Sequence, residues 1–248
     1  MIDLHTHVLP GLDDGAASLD DSLAIVAAAA ADGTTILAAT PHVRDDYPTT
    51  PEQMLAALDE VSAAVAERGL PVELLPGGEV ALERVRATPL EELRRLGLGG
   101  NPRYLLVEFP YHGWPAELAT TLVHLLDQDL VPVLAHPERN ADVQAGPARL
   151  GPLVAAGVLV QVTAASVTGA LGRSARQTAA ALVRDSLAHM VASDAHAPAV
   201  RDAGLSGARA AIRDSRLAEW LTETVPAAIV AREPIVPSRP RSARFLRR

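Results

Sequence analysis

Short apolar segments alternate with longer segments of helical character along almost the entire chain. The apolar segments predict seven β-strands, at residues 1–7, 34–40, 72–75, 104–109, 131–135, 158–162 and 189–192. Residues 104–107 and 131–135 are apolar almost without interruption, which is typical of parallel strands that are buried on both faces. The pattern therefore predicts an α/β fold built on a parallel sheet.

Helical segments fill the intervals between these strands. Helices are predicted at residues 18–31, 50–68, 115–128, 147–156, 169–186, 207–222 and 226–231, with two short helices in 80–96 because Pro89 interrupts that pattern. The repeats continue without a long linker, so residues 1–231 are predicted to form one domain. Residues 232–248 contain six Arg and three Pro and are predicted to be a basic, disordered tail, with a basic docking arm as the alternative.

Most ionisable residues that interrupt the apolar strands lie at the carboxyl ends of those strands. They are His5, His7, His42, Glu79, Glu108, His136, Asp194 and His196, and Asp14 lies in the loop after the first strand. In a closed βα barrel these strand ends share one rim, where the active sites of that fold lie. An open sheet has its ligand site at one switch point and would spread these residues along an edge. We therefore predict a closed seven-stranded barrel with its site at the carboxyl-terminal rim of the strands.

The composition narrows the possible functions. The chain of 248 residues is 48% hydrophobic, enough for a sizeable core, and its formal net charge of -8 argues against a nucleic-acid surface. It contains no cysteine, which excludes disulfides, thiolate metal sites and cysteine nucleophiles. Its longest apolar stretch, residues 23–31, is too short to cross a bilayer, and residues 1–7 lack the basic start of a signal peptide. We expect a cytoplasmic protein that neither inserts into a membrane nor binds nucleic acid.

The nine residues at the predicted rim comprise five histidines and four carboxylates. Such ligands, without thiolates, suit Zn, Mn, Fe or Co. One ion uses about four to six ligands, so nine candidates indicate two or three divalent ions with a shared carboxylate. Asp14 and Glu79 could instead serve as a turn residue and as a charge at a helix amino terminus. Glu108 and His136 have no comparable structural role at the end of an apolar strand, because burying an unpaired polar group is costly.

Three arginines each lie within five residues of a candidate ligand along the chain, namely Arg44, Arg139 and Arg201. Divalent ions in such a site lower the pKa of a bound water, which supports hydrolysis of a phosphoester, an amide or another ester. A guanidinium can bind two phosphoryl oxygens at once, so arginines beside the ligands favour phosphoester hydrolysis.

Seven short motifs resemble those of the polymerase and histidinol phosphatase (PHP) superfamily, and most closely those of the bacterial capsular and exopolysaccharide tyrosine phosphatases. They are His5-Thr6-His7, Asp13-Asp14-Gly15, Thr40-Pro41-His42, Gly78-Glu79, Leu106-Val107-Glu108-Phe109, Ala135-His136-Pro137-Glu138-Arg139 and Ser193-Asp194-Ala195-His196. They follow the family's order from residue 1 to about residue 201 and so cover most of the chain. The Asp-Asp-Gly loop and the last two motifs are specific together, whereas His-x-His alone is weak.

The resemblance implies a distorted seven-stranded barrel with a site for three ions, usually described with manganese. The implied ligands are His5, His7, Asp194 and a bridging Glu79 for the first ion, Glu108 and His136 for the second, and Asp14, His42 and His196 for the third. Arg139 and Arg201 match the family's phosphate-binding arginines.

The implied substrate is phosphotyrosine in the carboxyl-terminal tyrosine cluster of a partner kinase that controls polysaccharide export. The resemblance implies a basic stretch at residues 43–47, but these residues are more acidic. This difference affects the expected substrate preference and not the expected chemistry. Two alternatives stay open, a small-molecule phosphatase acting on histidinol phosphate and a regulator that binds a phosphotyrosine tail without hydrolysing it.

Overall fold

The computed structural model describes residues 1–196 and 204–235. Within these ranges the chain forms ten strands, which lie in or just after the predicted strands except for the short β4. They are β1 (Ile2–Thr6), β2 (Ile36–Ala39), β3 (His42–Arg44), β4 (Tyr47–Pro48), β5 (Glu73–Pro76), β6 (Glu79–Ala81), β7 (Tyr104–Glu108), β8 (Val131–Leu134), β9 (Leu159–Thr163) and β10 (Met190–Ala192).

The helices lie mostly where they were predicted, but several are shorter. They are α1 (Leu19–Ala31), α2 (Pro51–Glu67), α3 (Leu82–Val85), α4 (Leu90–Arg95), α5 (Leu118–Asp127), α6 (Ala141–Ala145), α7 (Gly151–Ala156), α8 (Ala164–Thr168), α9 (Arg173–Arg184), α10 (Ser206–Ala211), α11 (Ser215–Glu219) and α12 (Val225–Val230). Turns of 3₁₀-helix lie at Leu98–Gly100, Pro137–Arg139 and Pro147–Leu150, and a π-helical turn lies at Trp220–Thr224. The helix predicted at 169–186 begins instead at Arg173, because Gly169 and Gly172 have φ values of 99° and 93°, which an α-helix does not contain.

The strands form two sheets rather than one. The smaller sheet has the order β1–β2–β5, and the larger has the order β10–β9–β8–β7–β6–β3–β4. All neighbours are parallel except β3 and β4. Among the described residues, β1 meets β10 through an isolated bridge between Thr6 and Ala195. The backbone amide of His7 donates to the Ala195 carbonyl (2.8 Å), and that of Asp194 donates to the His5 carbonyl (2.9 Å).

The prediction of a closed seven-stranded barrel is not confirmed, because the described strands do not close into one hydrogen-bonded sheet. The break lies where the chain passes between the sheets, at Thr40 and Pro41 after β2 and at Gly77 and Gly78 after β5. Pro41 has no amide hydrogen to donate, and glycine disfavours a strand. The coarser prediction of an α/β fold with a mostly parallel sheet is confirmed.

The break also changes where two candidate ligands lie. The sequence pattern puts His42 and Glu79 at strand ends, but they are the first residues of β3 and β6. They are register partners across this pair of strands, and Glu79 is also the partner of Leu106 in β7. Both residues therefore start short new strands and lie side by side.

The centre of the larger sheet is buried on both faces. Every residue of β7 is buried, as its apolar sequence predicts, and every residue of β9 is buried as well. Helix α2 packs against β5, and α5 packs against β8. Leu, Val and Ala make up most of the core, because aromatic residues are only 3% of the chain.

No helix within residues 1–196 and 204–235 is long and apolar enough to cross a membrane. The Asn101 side chain donates a hydrogen bond to the Ile229 carbonyl (2.7 Å), which ties α12 to the loop before β7. Of the predicted tail at 232–248 only residues 232–235 are described, so the domain boundary at residue 231 stays a prediction.

Gly15 packs closely against the backbone that carries His7. A Cβ on Gly15 would lie 2.2 Å from the His7 carbonyl oxygen and 2.4 Å from the His7 Cβ. The same carbonyl accepts a hydrogen bond from the Ala16 amide (3.0 Å). Because Gly15 has no Cβ, the loop that contains Asp13 and Asp14 can pack against the end of β1.

We expect Gly15→Ala to lower the free energy of unfolding by about 1–3 kcal/mol, because the added methyl group must push the loop off the strand. Urea denaturation of both proteins measures this difference. Gly207→Ala is the matched control, since Gly207 lies in α10 outside the left-handed region and a Cβ there would make only an ordinary contact with Thr168 Cγ2 at 3.4 Å. Equal stability of Gly15→Ala and wild type would show that the loop moves without cost.

Candidate metal centre

All nine candidate ligands come together in one cluster, although they lie far apart in the chain. The cluster consists of His5, His7, Asp14, His42, Glu79, Glu108, His136, Asp194 and His196. Eight of these residues are buried, whereas the side chain of Asp14 is 47% exposed. Their ligand atoms form overlapping groups in which every pair of atoms lies within 4.8 Å.

The first group joins the end of β1 to the end of β10. The Nε2 atoms of His5 and His7 lie 3.3 Å apart, and they lie 3.5 and 3.4 Å from Asp194 Oδ1. Glu79 Oε2 lies 3.4 Å from His5 Nε2 and 3.3 Å from His7 Nε2. Four ligands held tetrahedrally at about 2.0–2.2 Å from one ion are separated by about 3.3–3.6 Å. The spacing of His5, His7 and Asp194, and likewise that of His5, His7 and Glu79, therefore fits ligands of a single ion.

The second group contains the exposed carboxylate. Asp14 Oδ1 lies 3.4 Å from His42 Nε2 and 3.4 Å from His196 Nε2. The rings of His7 and His196 lie 4.0 Å apart between centroids, so this group adjoins the first. The Nε2 atoms of His42 and His196 thus face the same oxygen of Asp14. A divalent ion can bind all three atoms in such an arrangement.

The third group surrounds two glutamates. His42 Nδ1 lies 3.0 Å from Glu79 Oε2 and 3.6 Å from Glu108 Oε2. His136 Nε2 lies 2.9 Å from Glu79 Oε1 and 3.8 Å from Glu108 Oε1. Glu79 therefore contacts histidines with both of its oxygens and is the common member of the first and third groups.

The hydrogen bonding of the candidate ligand atoms shows whether these residues fit a divalent ion. Glu79 Oε2 and His42 Nδ1 are buried, and although they lie 3.0 Å apart, neither makes an aligned hydrogen bond with a described residue. Burying such atoms without a hydrogen bond is costly, and a cation among them removes that cost. The candidate ligand atoms are imidazole nitrogens and carboxylate oxygens, which suit Zn, Mn, Fe or Co. The residues present therefore fit a centre for divalent ions.

Two of the three predicted arginines lie at this cluster. Arg139 Nη1 donates to Asp194 Oδ2 (2.8 Å), and its guanidinium lies over the Tyr111 ring at 4.5 Å. Arg44 Nε lies 2.8 Å from Asp46 Oδ1, and its Nη1 lies 3.7 Å from Glu108 Oε2. The third predicted arginine, Arg201, lies outside the described residues.

Comparison with known proteins assigns the chain to a family. Residues 1–226 match the family described as capsular polysaccharide synthesis, CpsB/CapC. The chain belongs to the CpsB/CapC family. It is 34% identical over 197 residues to the tyrosine-protein phosphatase YwqE of Bacillus subtilis (strain 168), which covers 79% of this chain and 77% of that protein. It is 28% identical over 210 residues to the tyrosine-protein phosphatase CpsB of Streptococcus pneumoniae, which covers 79% and 83%.

The fold agrees with this assignment. A crystal structure from a study of YwqE and CpsB matches the chain with a TM-score of 0.84 and 30% identity, over 95% of this chain and 96% of the other. That study describes the two proteins as metal-dependent tyrosine phosphatases. The predicted resemblance to the capsular and exopolysaccharide tyrosine phosphatases is confirmed.

In this CpsB/CapC protein, hydrogen bonds hold the ring nitrogens that face away from the cluster. Gln161 Oε1 lies 3.1 Å from His5 Nδ1 and also accepts from the His136 amide (3.2 Å). Asp13 Oδ2 lies 2.7 Å from His7 Nδ1 and accepts from the His42 amide (2.9 Å). Such contacts set the tautomer and orientation of a histidine ligand.

Gln161 and Asp13 were not among the predicted site residues. Gln161 interrupts an otherwise apolar strand, which is a signal, but it lies inside the strand rather than at its end. Asp13 is adjacent to Asp14 in the same acidic turn, so the sequence alone does not show which carboxylate faces a histidine.

The electrostatics of the cluster follow from burial and close pairing. Burial alone would raise the pKa of Glu79, but the neighbouring imidazoles, above all His5, outweigh burial and hold that pKa well below its usual range. Burial alone would raise the pKa of Asp13 as well, but His7 lowers it to about 2. Burial and the charge of Glu79 together raise the pKa of Glu108. The imidazoles therefore stabilise the carboxylates of Glu79 and Asp13, whereas burial beside Glu79 disfavours the charged form of Glu108.

Two members of the cluster have an unfavourable backbone conformation. His136 and Asp194 have φ values of 33° and 53°, in the left-handed region that favours glycine. Such residues cost about 1–3 kcal/mol each and occur at functional sites, where surrounding contacts hold them in place. The Asp194 amide is held by the His5 carbonyl, and the His136 amide by Gln161. Both turns aim a side chain into the cluster immediately after a parallel strand.

We expect Asp13→Asn to weaken divalent-ion binding by about 10- to 100-fold, because it removes the negative charge that holds His7 Nδ1. Competition with a metal-sensitive dye measures the dissociation constant for Mn²⁺. Asp59→Asn makes the same change at an exposed position in α2 and serves as the control. Equal affinities for the two variants would remove Asp13 from any role at the cluster.

Proposed function

We propose that this protein is a metal-dependent phosphomonoester hydrolase that removes phosphate from phosphotyrosine. The observation that carries the proposal is the cluster of imidazoles and carboxylates around Glu79, with the Arg139 guanidinium bound at its edge to Asp194. A site that binds a phosphoryl group needs positive charge and a guanidinium side by side, because both interact with the phosphoryl oxygens. The relatives named as tyrosine-protein phosphatases support the choice of phosphotyrosine.

We further propose how the residues divide among two or three ions. His5, His7, Asp194 and Glu79 would hold the first ion, Glu108 and His136 would hold the second together with Glu79, and Asp14, His42 and His196 would hold the third. The contacts of 2.9–3.8 Å within each set support this division. Manganese is the metal that the family resemblance favours, and zinc, iron, cobalt or magnesium are the alternatives.

When bound, the ions supply Lewis acidity and lower the pKa of water for attack on phosphorus. Arg139 contributes the remaining donors of its guanidinium to the phosphoryl oxygens, while Asp194 and Tyr111 hold its orientation. Arg201 is proposed as a second phosphate-binding residue from the family resemblance. The leaving group is a phenolate whose free pKa is about 10, so the need for a strong general acid is modest.

The proposed substrate is the phosphotyrosine-bearing tail of a bacterial tyrosine kinase that controls capsule or exopolysaccharide synthesis. The family's link to capsular polysaccharide synthesis supports this partner. Such a tail is in the cytoplasm, so we propose the cytoplasm as the location of this protein. The comparisons favour phosphotyrosine over histidinol phosphate, and the complete set of candidate ligands favours catalysis over binding alone.

A strong chelator should abolish phosphate release from a phosphotyrosine peptide, and added Mn²⁺ should restore it, because the carboxylates and imidazoles alone supply no Lewis acid. Release of inorganic phosphate measures both effects. Histidinol phosphate serves as the comparison substrate and should be hydrolysed with lower kcat/KM. Activity that survives complete metal removal would overturn the proposed function.

We expect Arg139→Lys to reduce kcat/KM for a phosphotyrosine peptide by about 5- to 150-fold, because lysine cannot bind two phosphoryl oxygens side by side. Steady-state kinetics on the metal-loaded enzyme measures this loss. Arg149→Lys is the matched control, since Arg149 also lies over an aromatic ring, Trp114 at 4.7 Å, and pairs with Asp142 at 3.2 Å. Unchanged kinetics for Arg139→Lys would exclude Arg139 from phosphate binding.

A further inference from the structure

Two tyrosines lie at the metal-ligand cluster, each paired with an arginine. Tyr111 lies under the guanidinium of Arg139 at 4.5 Å, and Tyr47 lies under that of Arg44 at 5.0 Å. The chain contains only three tyrosines, and its core uses few aromatic residues. Two of the three are therefore found beside the candidate site rather than in the core.

Each tyrosine ring also lies against an imidazole of the cluster. The Tyr47 ring lies 6.0 Å from that of His42 with an angle of 14° between the planes. The Tyr111 ring lies 5.8 Å from that of His136 with an angle of 36°. Both distances are within the range of about 4.5–7 Å over which aromatic rings interact.

The strand order separates the two tyrosines. His136 follows β8 and His42 begins β3, and β7 and β6 lie between them with Glu108 and Glu79. His42 contacts Oε2 of Glu79, whereas His136 contacts Oε1 of the same carboxylate. The two tyrosines therefore flank the glutamate pair from opposite sides.

Tyr111 is held in place although it is partly exposed. The buried Asn140 side chain donates to the carbonyls of Pro110 (2.7 Å) and Gly113 (2.9 Å), and the Ala141 amide donates to the Tyr111 carbonyl (2.9 Å). The residue nevertheless keeps 37% of its surface exposed. A fixed, exposed ring loses little conformational entropy when a ligand binds to it.

Tyr47 is held by the β3–β4 hairpin. Arg44 pairs with Tyr47 and Val43 with Pro48 in the antiparallel ladder, and Asp46 holds the Arg44 guanidinium. The side chain of Tyr47 is partly exposed. The hairpin thus presents a second fixed aromatic ring to the same side of the sheet as the cluster.

We propose that Tyr47 and Tyr111 are the two walls that recognise the aromatic ring of an aryl phosphate bound at this site. The inference rests on the proposed phosphatase function and names the residues that select phosphotyrosine over alkyl phosphates. A phosphoryl group at Arg139 and the cluster leaves its ester group between the two rings. A planar aromatic group can interact there with ring faces and edges, whereas a saturated group of similar size gains only nonspecific contact.

The test measures binding, so that leaving-group chemistry does not contribute. Titration calorimetry of the full, metal-loaded chain compares benzylphosphonate with cyclohexylmethylphosphonate, which differ in the aromaticity of one ring. We expect wild type to bind the aromatic compound more tightly. Tyr111→Leu and Tyr47→Leu should each reduce that preference by about 2- to 12-fold, the contribution of one aromatic pair.

Tyr111→Phe and Tyr47→Phe keep the ring and should keep the preference. His112→Ala changes an exposed residue in the same loop as Tyr111 and should leave both affinities unchanged. Metal content and thermal stability of each variant show whether a Leu substitution has damaged the fold. The wild-type preference and the Phe variants test the proposal even where a Leu variant does not fold.

Three outcomes overturn the proposal. They are an absence of preference in wild type, an equal loss of both affinities in the Leu variants, and a loss of preference in the Phe variants. An equal loss would mean that the tyrosines act only by orienting the arginines. Phosphate release from a phosphotyrosine peptide by the same wild-type sample is scored separately. A protein that prefers benzylphosphonate but releases no phosphate contradicts the proposed hydrolase and not the aromatic walls.

Discussion

The buried carboxylate of Glu79 is the constraint on which the rest of the site depends. Its side chain is fully buried, and imidazole nitrogens of His5, His7, His42 and His136 lie 2.9–3.4 Å from its oxygens. A buried carboxylate is stable only with compensating positive charge and good geometry. Segments from the start, middle and second half of the chain must therefore lie close together at this point. The parallel strands bring them there, because their ends converge.

The interruption of the sheet leaves this arrangement intact. Ala39 of β2 pairs with Pro76 of β5, and His42 of β3 pairs with Glu79 of β6, so the register is the same on both sides of the break. The segments at Pro41 and at Gly77 and Gly78 interrupt the ladder without shifting that register. His42 and Glu79 therefore lie side by side on the same face, as register partners in parallel strands do.

The polar contacts outside the cluster complete its geometry. Asp13 and Gln161 hold the far nitrogens of His7 and His5, and Gly15 lets the acidic loop reach the strand that carries them. On the open side, arginine and tyrosine pairs surround the charged centre. The site thus combines a rigid, buried set of ligands with an exposed rim that can contact a substrate.

The sequence by itself determined the element types, the parallel sheet and the members of the cluster, because apolar periodicity and polar residues at strand ends are local signals, and its short motifs indicated the family. The boundaries of α9 and the roles of Asp13 and Gln161 depend on backbone conformation and on neighbours distant in the chain. Only the tertiary structure decided that the sheet stays open at Pro41 and Gly77. Pro41, Gly77 and Gly78 weaken strand pairing locally, but closure itself depends on hydrogen bonds between strands that are far apart in sequence.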